Sequence, residues 1–342
     1  MALGKRLVGI MTLSLILIYF FYQPLPKKYF QQPWIIFDLK GLELSAQEIE
    51  MLQHPAVAGI ILNHSKTYGQ PHIGGSPYPS LKSVKTLVSQ IKSIRQELLV
   101  MIDYEGGRIQ RISDPILPNI PILKPKYDLI SDNLAHAKQL GHTVGQILKL
   151  LDIDCLLGPV VDQDIDQHPL AYRAISQDPE IIYQMAQAYI QAVQSHGIQT
   201  TLKHYPGLGH AMVDTHTHTG HDPRAFADIS QSLQPFERLI DCTNSMIMTS
   251  HGIFDQIDSQ PASQSRYWIE RIKRHHKTLK IISDDVSMQG AFNHLSFEER
   301  LENTYAAGSD FVICMHRQDQ LYEYLTQYQF IMKERNIRKI EP

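Results

Sequence analysis

Cysteine is scarce in this chain, and what there is cannot organise it. Cys155, Cys242 and Cys314 are the three cysteines among 342 residues. There is no CxxC pair, which argues against a zinc knuckle or a redox motif, and an odd number so widely spaced argues against a disulfide framework. Each lies in or beside an apolar run, so buried free thiols are expected. An excess of one charge is also missing. The net charge is -3, and no basic stripe is interleaved with aromatics, which excludes the usual nucleic-acid-binding footprint. There is no internal repeat, no low-complexity tract beyond a short Pro-rich spacer, and no Gly-rich phosphate loop opening a helix. What is present suffices for a sizeable core: 43% of the residues are hydrophobic and 20% charged. That length suits one large domain or two small ones.

One hydrophobic run stands apart. Lys5-Arg6 precede Leu7 to Tyr22, which carry no charge and approach the length of a membrane span. No small-x-small cleavage site follows; the chain continues Gln23-Pro24-Leu25-Pro26-Lys27-Lys28. The expectation is a hydrophobic helix acting as an uncleaved signal anchor, with its spacer, over residues 1–30. The body, residues 31–342, would then be membrane-anchored on the periplasmic or extracytoplasmic side. A buried hydrophobic arm is the alternative.

Beyond the spacer, apolar runs alternate with helical patterns. Strands are expected at Trp34–Leu39, Val57–Leu62, Leu98–Asp103, Cys155–Val161, Thr200–His204, Ser245–Ser250, Lys280–Asp284 and Phe311–Met315. Val57-Ala58-Gly59-Ile60-Ile61-Leu62 is a continuous apolar run, as a parallel strand buried on both faces requires. Ser45 and Ser80 open helices, the second amphipathic through Val84, Leu87, Val88, Ile91 and Ile94. Asp178-Pro179-Glu180 starts another, running to about Ser195. A further helix lies around Glu298–Ala307, and the last, after the eighth strand, is expected to be short. Eight strands alternating with helices predict an α/β fold, a single-domain (β/α)8 TIM barrel, with an open doubly wound sheet as the alternative.

A barrel gathers its chemistry at the C-terminal ends of its strands. The polar residues fall there: Asp103 and Arg111, Arg173, Lys203 and His204, His251, then Asp284 and Asp285. So many charges on one rim are costly unless paired or used. Thr200-Thr201-Leu202-Lys203-His204-Tyr205-Pro206-Gly207 hands a Lys-His pair to a loop carrying Asp214-Thr215-His216.

Four segments carry a resemblance: Phe37-Asp38-Leu39-Lys40-Gly41 through Gly59; Asp103-Tyr104-Glu105-Gly106-Gly107-Arg108-Ile109-Gln110-Arg111; Lys203 to Gly207 with Asp214-Thr215-His216; and Ser283-Asp284-Asp285-Val286-Ser287-Met288-Gln289-Gly290-Ala291. Together the chain resembles glycoside hydrolase family 3, in its single-domain β-N-acetylglucosaminidase branch. The resemblance implies that Asp284 is the nucleophile, with Asp285 its rival. It implies that His216, oriented by Asp214, is the acid/base, with His218 repeating the spacing. An imidazole suits that task, because it exchanges a proton near neutrality. Asp103, Arg111, Arg173, Lys203 and His204 match the family's sugar contacts; for Arg111 and Arg173 a structural ion pair is the alternative. The chain departs from the family at Leu208, where His is common, and at His210-Ala211-Met212. The loop Tyr68–Pro79 is longer than usual.

The resulting expectation is a retaining exo-β-N-acetylhexosaminidase acting on peptidoglycan fragments or related amino-sugar glycans. No cofactor, metal or nucleic-acid partner is expected, and a monomer is expected. Whether water or phosphate resolves the intermediate stays open. Two other readings compete. A catalytically inactive, membrane-tethered amino-sugar-binding protein would bind without turnover. A zinc-dependent barrel hydrolase would use His210, Asp214, His216, His218 and His221.

Overall fold

Short apolar strands that must bury both faces are satisfied by closing a parallel sheet around its own side chains. The computed structural model shows this arrangement. It describes residues 32–63, 78–166, 168, 171–208, 211–292 and 294–337. In chain order the elements are β1 (Ile35–Asp38), α1 (Ala46–Gln53), β2 (Val57–Leu62), α2 (Leu81–Ile94), β3 (Leu99–Ile102), β4 (Tyr104–Gly106) and β5 (Ile109–Gln110). Then come α3 (Ile130–Leu150), β6 (Cys155–Leu156), α4 (Pro179–Gln194), β7 (Gln199–Tyr205), β8 (His221–Asp222) and α5 (Phe226–Cys242). The chain continues through β9 (Met246–Thr249), β10 (Ile253–Phe254), α6 (Arg266–His275), β11 (Ile281–Ser283), α7 (Phe297–Ala307), β12 (Val312–Cys314) and α8 (Gln318–Ile337).

Eight of these strands form one parallel sheet in the order β11-β9-β7-β6-β3-β2-β1-β12. A parallel bridge between Ile282 and Phe311 brings the two ends together, nearly closing the barrel. Its interior is filled by a cluster including Ile36, Ile61, Met101, Cys155, Leu157, Met246, Met248, Ile282 and Ile313. All eight expected strands are present. The fourth is shorter than its apolar run: pairing covers only Cys155–Leu156, and beyond it Val160 makes a single bridge to Lys203. The small pairs β4–β5 and β8–β10 lie outside the barrel sheet and were not expected.

Helix starts follow their caps. Ser45 and Ser296 form capping boxes with Glu48 and Glu299, and the Ser80 and Asp178 side chains cap α2 and α4.

Four expectations need correction or placement. The anchor helix of residues 1–30 lies outside the described residues. Among those described, no helix is long and apolar enough to cross a membrane, so the membrane-anchored, extracytoplasmic placement is withdrawn. The loop Tyr68–Pro79 falls mostly outside the described residues. Cys155 and Cys314 are buried, but Cys242 is exposed: α5 buries Ser232, Leu233, Phe236, Leu239 and Ile240, and Cys242 stands off that stripe. The last helix is not short, since α8 runs for 20 residues.

Candidate active site

The strand ends at the C-terminal face surround a cavity of about 180 Å³. Its floor is apolar, with Ile61, Leu157, Met248 and Ile313. Seven of the eight predicted site residues line it: Asp103, Arg111, Arg173, Lys203, His204, His216 and Asp284. Asp214, the eighth, stands behind His216.

One side of the cavity is a chain of paired charges. Lys203, fully buried at the end of β7, donates to Asp103 Oδ1 at 2.7 Å and lies 2.6 Å from Glu105 Oε1. Arg173 grips Glu105 with two bonds, Nε to Oε2 at 3.0 Å and Nη2 to Oε1 at 2.8 Å. Arg173 Nη2 also reaches His204 Nε2 at 3.3 Å, and His204 Nδ1 meets Asp162 Oδ2 at 2.7 Å. Burial drives the Glu105 carboxyl up, but Arg173 and Lys203 outweigh it and hold the group well below the carboxylate range. Burial likewise pulls the Lys203 ammonium down, and Asp103 and Glu105 more than restore it. Arg111 stands 3.7 Å from Asp103. Its Nε and Nη1 are buried without a hydrogen-bond partner among the described residues. Both alternatives raised for the arginines are therefore visible. Arg173 pairs with Glu105 and also lines the cavity, and Arg111 keeps two donors without a partner among the described residues.

The other side carries fewer bonds. Asp284 follows β11, and among the described residues its carboxylate accepts only the Asp285 backbone N–H, at 2.8 Å. Asp285 also borders the cavity, but its carboxylate is engaged. It is consumed by the Ser287 hydroxyl and backbone N–H and by the Met315 N–H at 2.9 Å. The two carboxyls are driven apart. Burial opposes charge on Asp284, but the imidazoles of His204, His251 and His216 and the Asp285 N–H outweigh it and hold it at about 2. Burial pushes Asp285 up, only partly offset by Ser287 and Met315. Asp284 is thus the carboxyl held low, and the one that keeps the fewer bonds among the described residues.

His216 Nδ1 and backbone N–H both meet Asp214 Oδ1, at 2.6 and 2.9 Å. Burial raises the Asp214 carboxyl, and its bonds to His216 bring it below the ordinary value. His218 instead meets Thr217 Oγ1 at 2.8 Å and does not line the cavity. His251, noted as a rim residue, spends both ring nitrogens on Ser263 Oγ and the Asp285 carbonyl, each at 2.8 Å. Leu208 lines the cavity, and its backbone N–H is held by Asp162 at 3.1 Å. Of the five residues of the zinc reading, His210 lies outside the described residues; among those described, no group of three or more His, Cys, Asp or Glu could hold a metal ion, and His221 pairs with Asp255 and His216 with Asp214.

Two functional side chains were missed. Glu105 sits two residues after Asp103, and that spacing was the available signal for a second carboxylate on the same face. Asp162 opens an alternating run of acids, Asp162, Asp164 and Asp166, on an irregular segment, and that run did not single it out.

A parallel barrel holding an ionised carboxylate opposite an Asp-supported imidazole, beside a wall of sugar-compatible donors and acceptors, is the equipment of a glycoside hydrolase. Comparison with known proteins agrees. The family described as "Glycosyl hydrolase family 3 N terminal domain" matches residues 28–336. The chain is 34% identical over 300 residues to "Beta-hexosaminidase" of Actinobacillus succinogenes, covering 85% of this chain and 83% of that protein. It is 32% identical over 298 residues to "Beta-hexosaminidase" of Haemophilus influenzae, covering 85% and 82%. The solved structure of NagZ from Neisseria gonorrhoeae in complex with N-trifluoroacetyl-D-glucosamine superposes with a TM-score of 0.72 at 25% identity, covering 85% of each chain. The chain belongs to glycosyl hydrolase family 3.

Proposed function

We propose that this glycoside hydrolase is a retaining exo-β-N-acetylhexosaminidase. It removes terminal N-acetylglucosamine from peptidoglycan fragments or related amino-sugar glycans, using one catalytic domain. The observation that carries this is the pair of reacting groups in one cavity: Asp284, held ionised and free of side-chain partners among the described residues, and His216, oriented by Asp214. The relatives named beta-hexosaminidase and the NagZ complex with an N-acylated glucosamine support the amino-sugar substrate.

In the first step His216 donates a proton to the leaving oxygen while Asp284 attacks the anomeric carbon, giving a glycosyl-enzyme ester. In the second, His216 takes a proton from water, which opens the ester at the anomeric carbon with net retention. Asp214 fixes the imidazole tautomer and stabilises its cation. Asp103 accepts from sugar hydroxyls. Arg111, Lys203, His204 and Arg173 complete the binding wall. The cavity is smaller than a drug-sized pocket, roughly 300 Å³ or more, which suits a single terminal ring.

The test is hydrolysis of a chromogenic β-N-acetylglucosaminide. Turnover by wild type, lost in Asp284→Asn, supports the reading. If wild-type protein binds N-acetylglucosamine without turnover, the enzyme assignment is wrong and the inactive sugar-binding alternative takes its place.

A further inference from the structure

The loops carrying the two reacting groups meet at one glycine. Asp284 opens the loop after β11, and His216 lies on the loop after β7. The Gly290 N–H donates to the Thr215 carbonyl at 3.0 Å, and the Gln289 N–H to the His216 carbonyl at 3.3 Å. A Cβ on Gly290 would stand 2.8 Å from the Thr215 carbonyl oxygen, 3.1 Å from His251 Cβ and 3.2 Å from Thr215 Cβ. The nearest of these is a backbone atom of a buried residue, so no rotamer change relieves the clash. Only a residue without a side chain lets the two loops lie this close.

We propose that Gly290 is a positioning residue that seats the His216 loop on the Asp284 loop and so sets the height of the acid/base over the bond to be broken. The proposal rests on His216 being the acid/base. A general acid works only within hydrogen-bond reach of the leaving oxygen. Asp284 is anchored independently, its N–H bonded to the Thr249 carbonyl at 3.0 Å. An added methyl at 290 therefore displaces the proton donor more than the nucleophile.

The experiment compares kcat/KM for aryl β-N-acetylglucosaminides, from dinitrophenyl, which departs unprotonated, to phenyl, which needs the acid. Wild type, Gly290→Ala, His216→Ala and Gly41→Ala are measured together; an added Cβ at Gly41 meets nothing within 4 Å. Gly290→Ala is expected to lose about 10²-fold on the phenyl substrate, as a misplacement of ~1 Å does. On the dinitrophenyl substrate it is expected to lose less than about 3-fold, because no proton is required there. Gly41→Ala stays at wild type. A loss equal across the series, or none, overturns the proposal. If His216→Ala itself shows no leaving-group dependence, the acid/base assignment falls first. If His216→Ala shows it and Gly290→Ala does not, the positioning role alone falls. Should Gly290→Ala not fold, Thr215→Gly loosens the same contact from the other side without adding an atom. It is expected to steepen the dependence likewise, and a flat profile there overturns the proposal.

Discussion

The two walls of the cavity are built on opposite principles. On one, Asp103, Glu105, Lys203, Arg173, His204 and Asp162 bond to one another until little capacity is left. On the other, among the described residues, Asp284 accepts a single backbone N–H and the His216 ring leans on Asp214 alone. On the crowded wall each buried charge depends on its neighbours; the sparse wall leaves uncommitted the carboxylate and imidazole proposed to react. Recognition and reaction thus make different demands on the fold, and substitutions on the two walls should fail in different ways.

The largest expected effect is on the sparse wall. Asp284→Asn should lower kcat by about 10⁴-fold or more, as nucleophile removal does, with little change in melting temperature. His216→Ala should cost about 10²- to 10⁴-fold in kcat/KM on substrates with poor leaving groups, again with folding intact by circular dichroism. The crowded wall should answer the other way. Glu105→Ala strands Arg173 and Lys203, and is expected to destabilise the protein by about 3–5 kcal/mol in chemical denaturation. If it proved as stable as wild type, the interdependence of that wall would be wrong. Arg111→Leu removes two donors, Nε and Nη1, without a protein partner among the described residues, together with the Nη2 that faces Asp103 at 3.7 Å. It should raise KM by about 10-fold, the cost of one charged hydrogen bond, with a smaller change in kcat.

The smallest effect is a pH dependence at the edge of the same rim. Burial pushes Asp38 up to about 8, opposed by the His316 backbone N–H and reinforced by the Asp285 charge. A carboxyl raised on folding holds its proton longer in the native state than in the unfolded chain. Its stability contribution is thus present below roughly pH 4 and fades as pH rises toward 8. Asp38→Asn should remove that part of the decline between pH 5 and 8 in denaturation midpoints; an unchanged decline would show that Asp38 is ionised throughout.

Much of this could be read in advance, for physical reasons. Val57–Leu62 is a strand to the residue because a doubly buried parallel strand has a composition nothing else shares. The rim residues follow from that, since strand ends in a barrel define one face. Asp284 and Asp285 could not be separated, because alternation says only that one of them points inward. What distinguishes them in the fold is the Ser287 and Met315 bonds to Asp285, and Met315 is thirty positions away. Cys242 misled because the apolar pair Leu239-Ile240 lies just before it, while Cys242 itself, flanked by Asp241 and Thr243, falls at the exposed end of the helix beyond that pair. Asp162 was out of reach for a related reason: its partner, His204, is 42 positions distant, and no periodicity connects them.

The buried chain of alternating charges has a consequence for the medium in which the enzyme works. Dissolved ions weaken exposed charge pairs over a Debye length of about 8 Å at physiological strength, but they screen buried pairs far less. The sugars this wall is proposed to hold carry no net charge themselves. Its grip on them should therefore be nearly the same in dilute buffer and in strong brine, although the wall is made almost wholly of ionised groups.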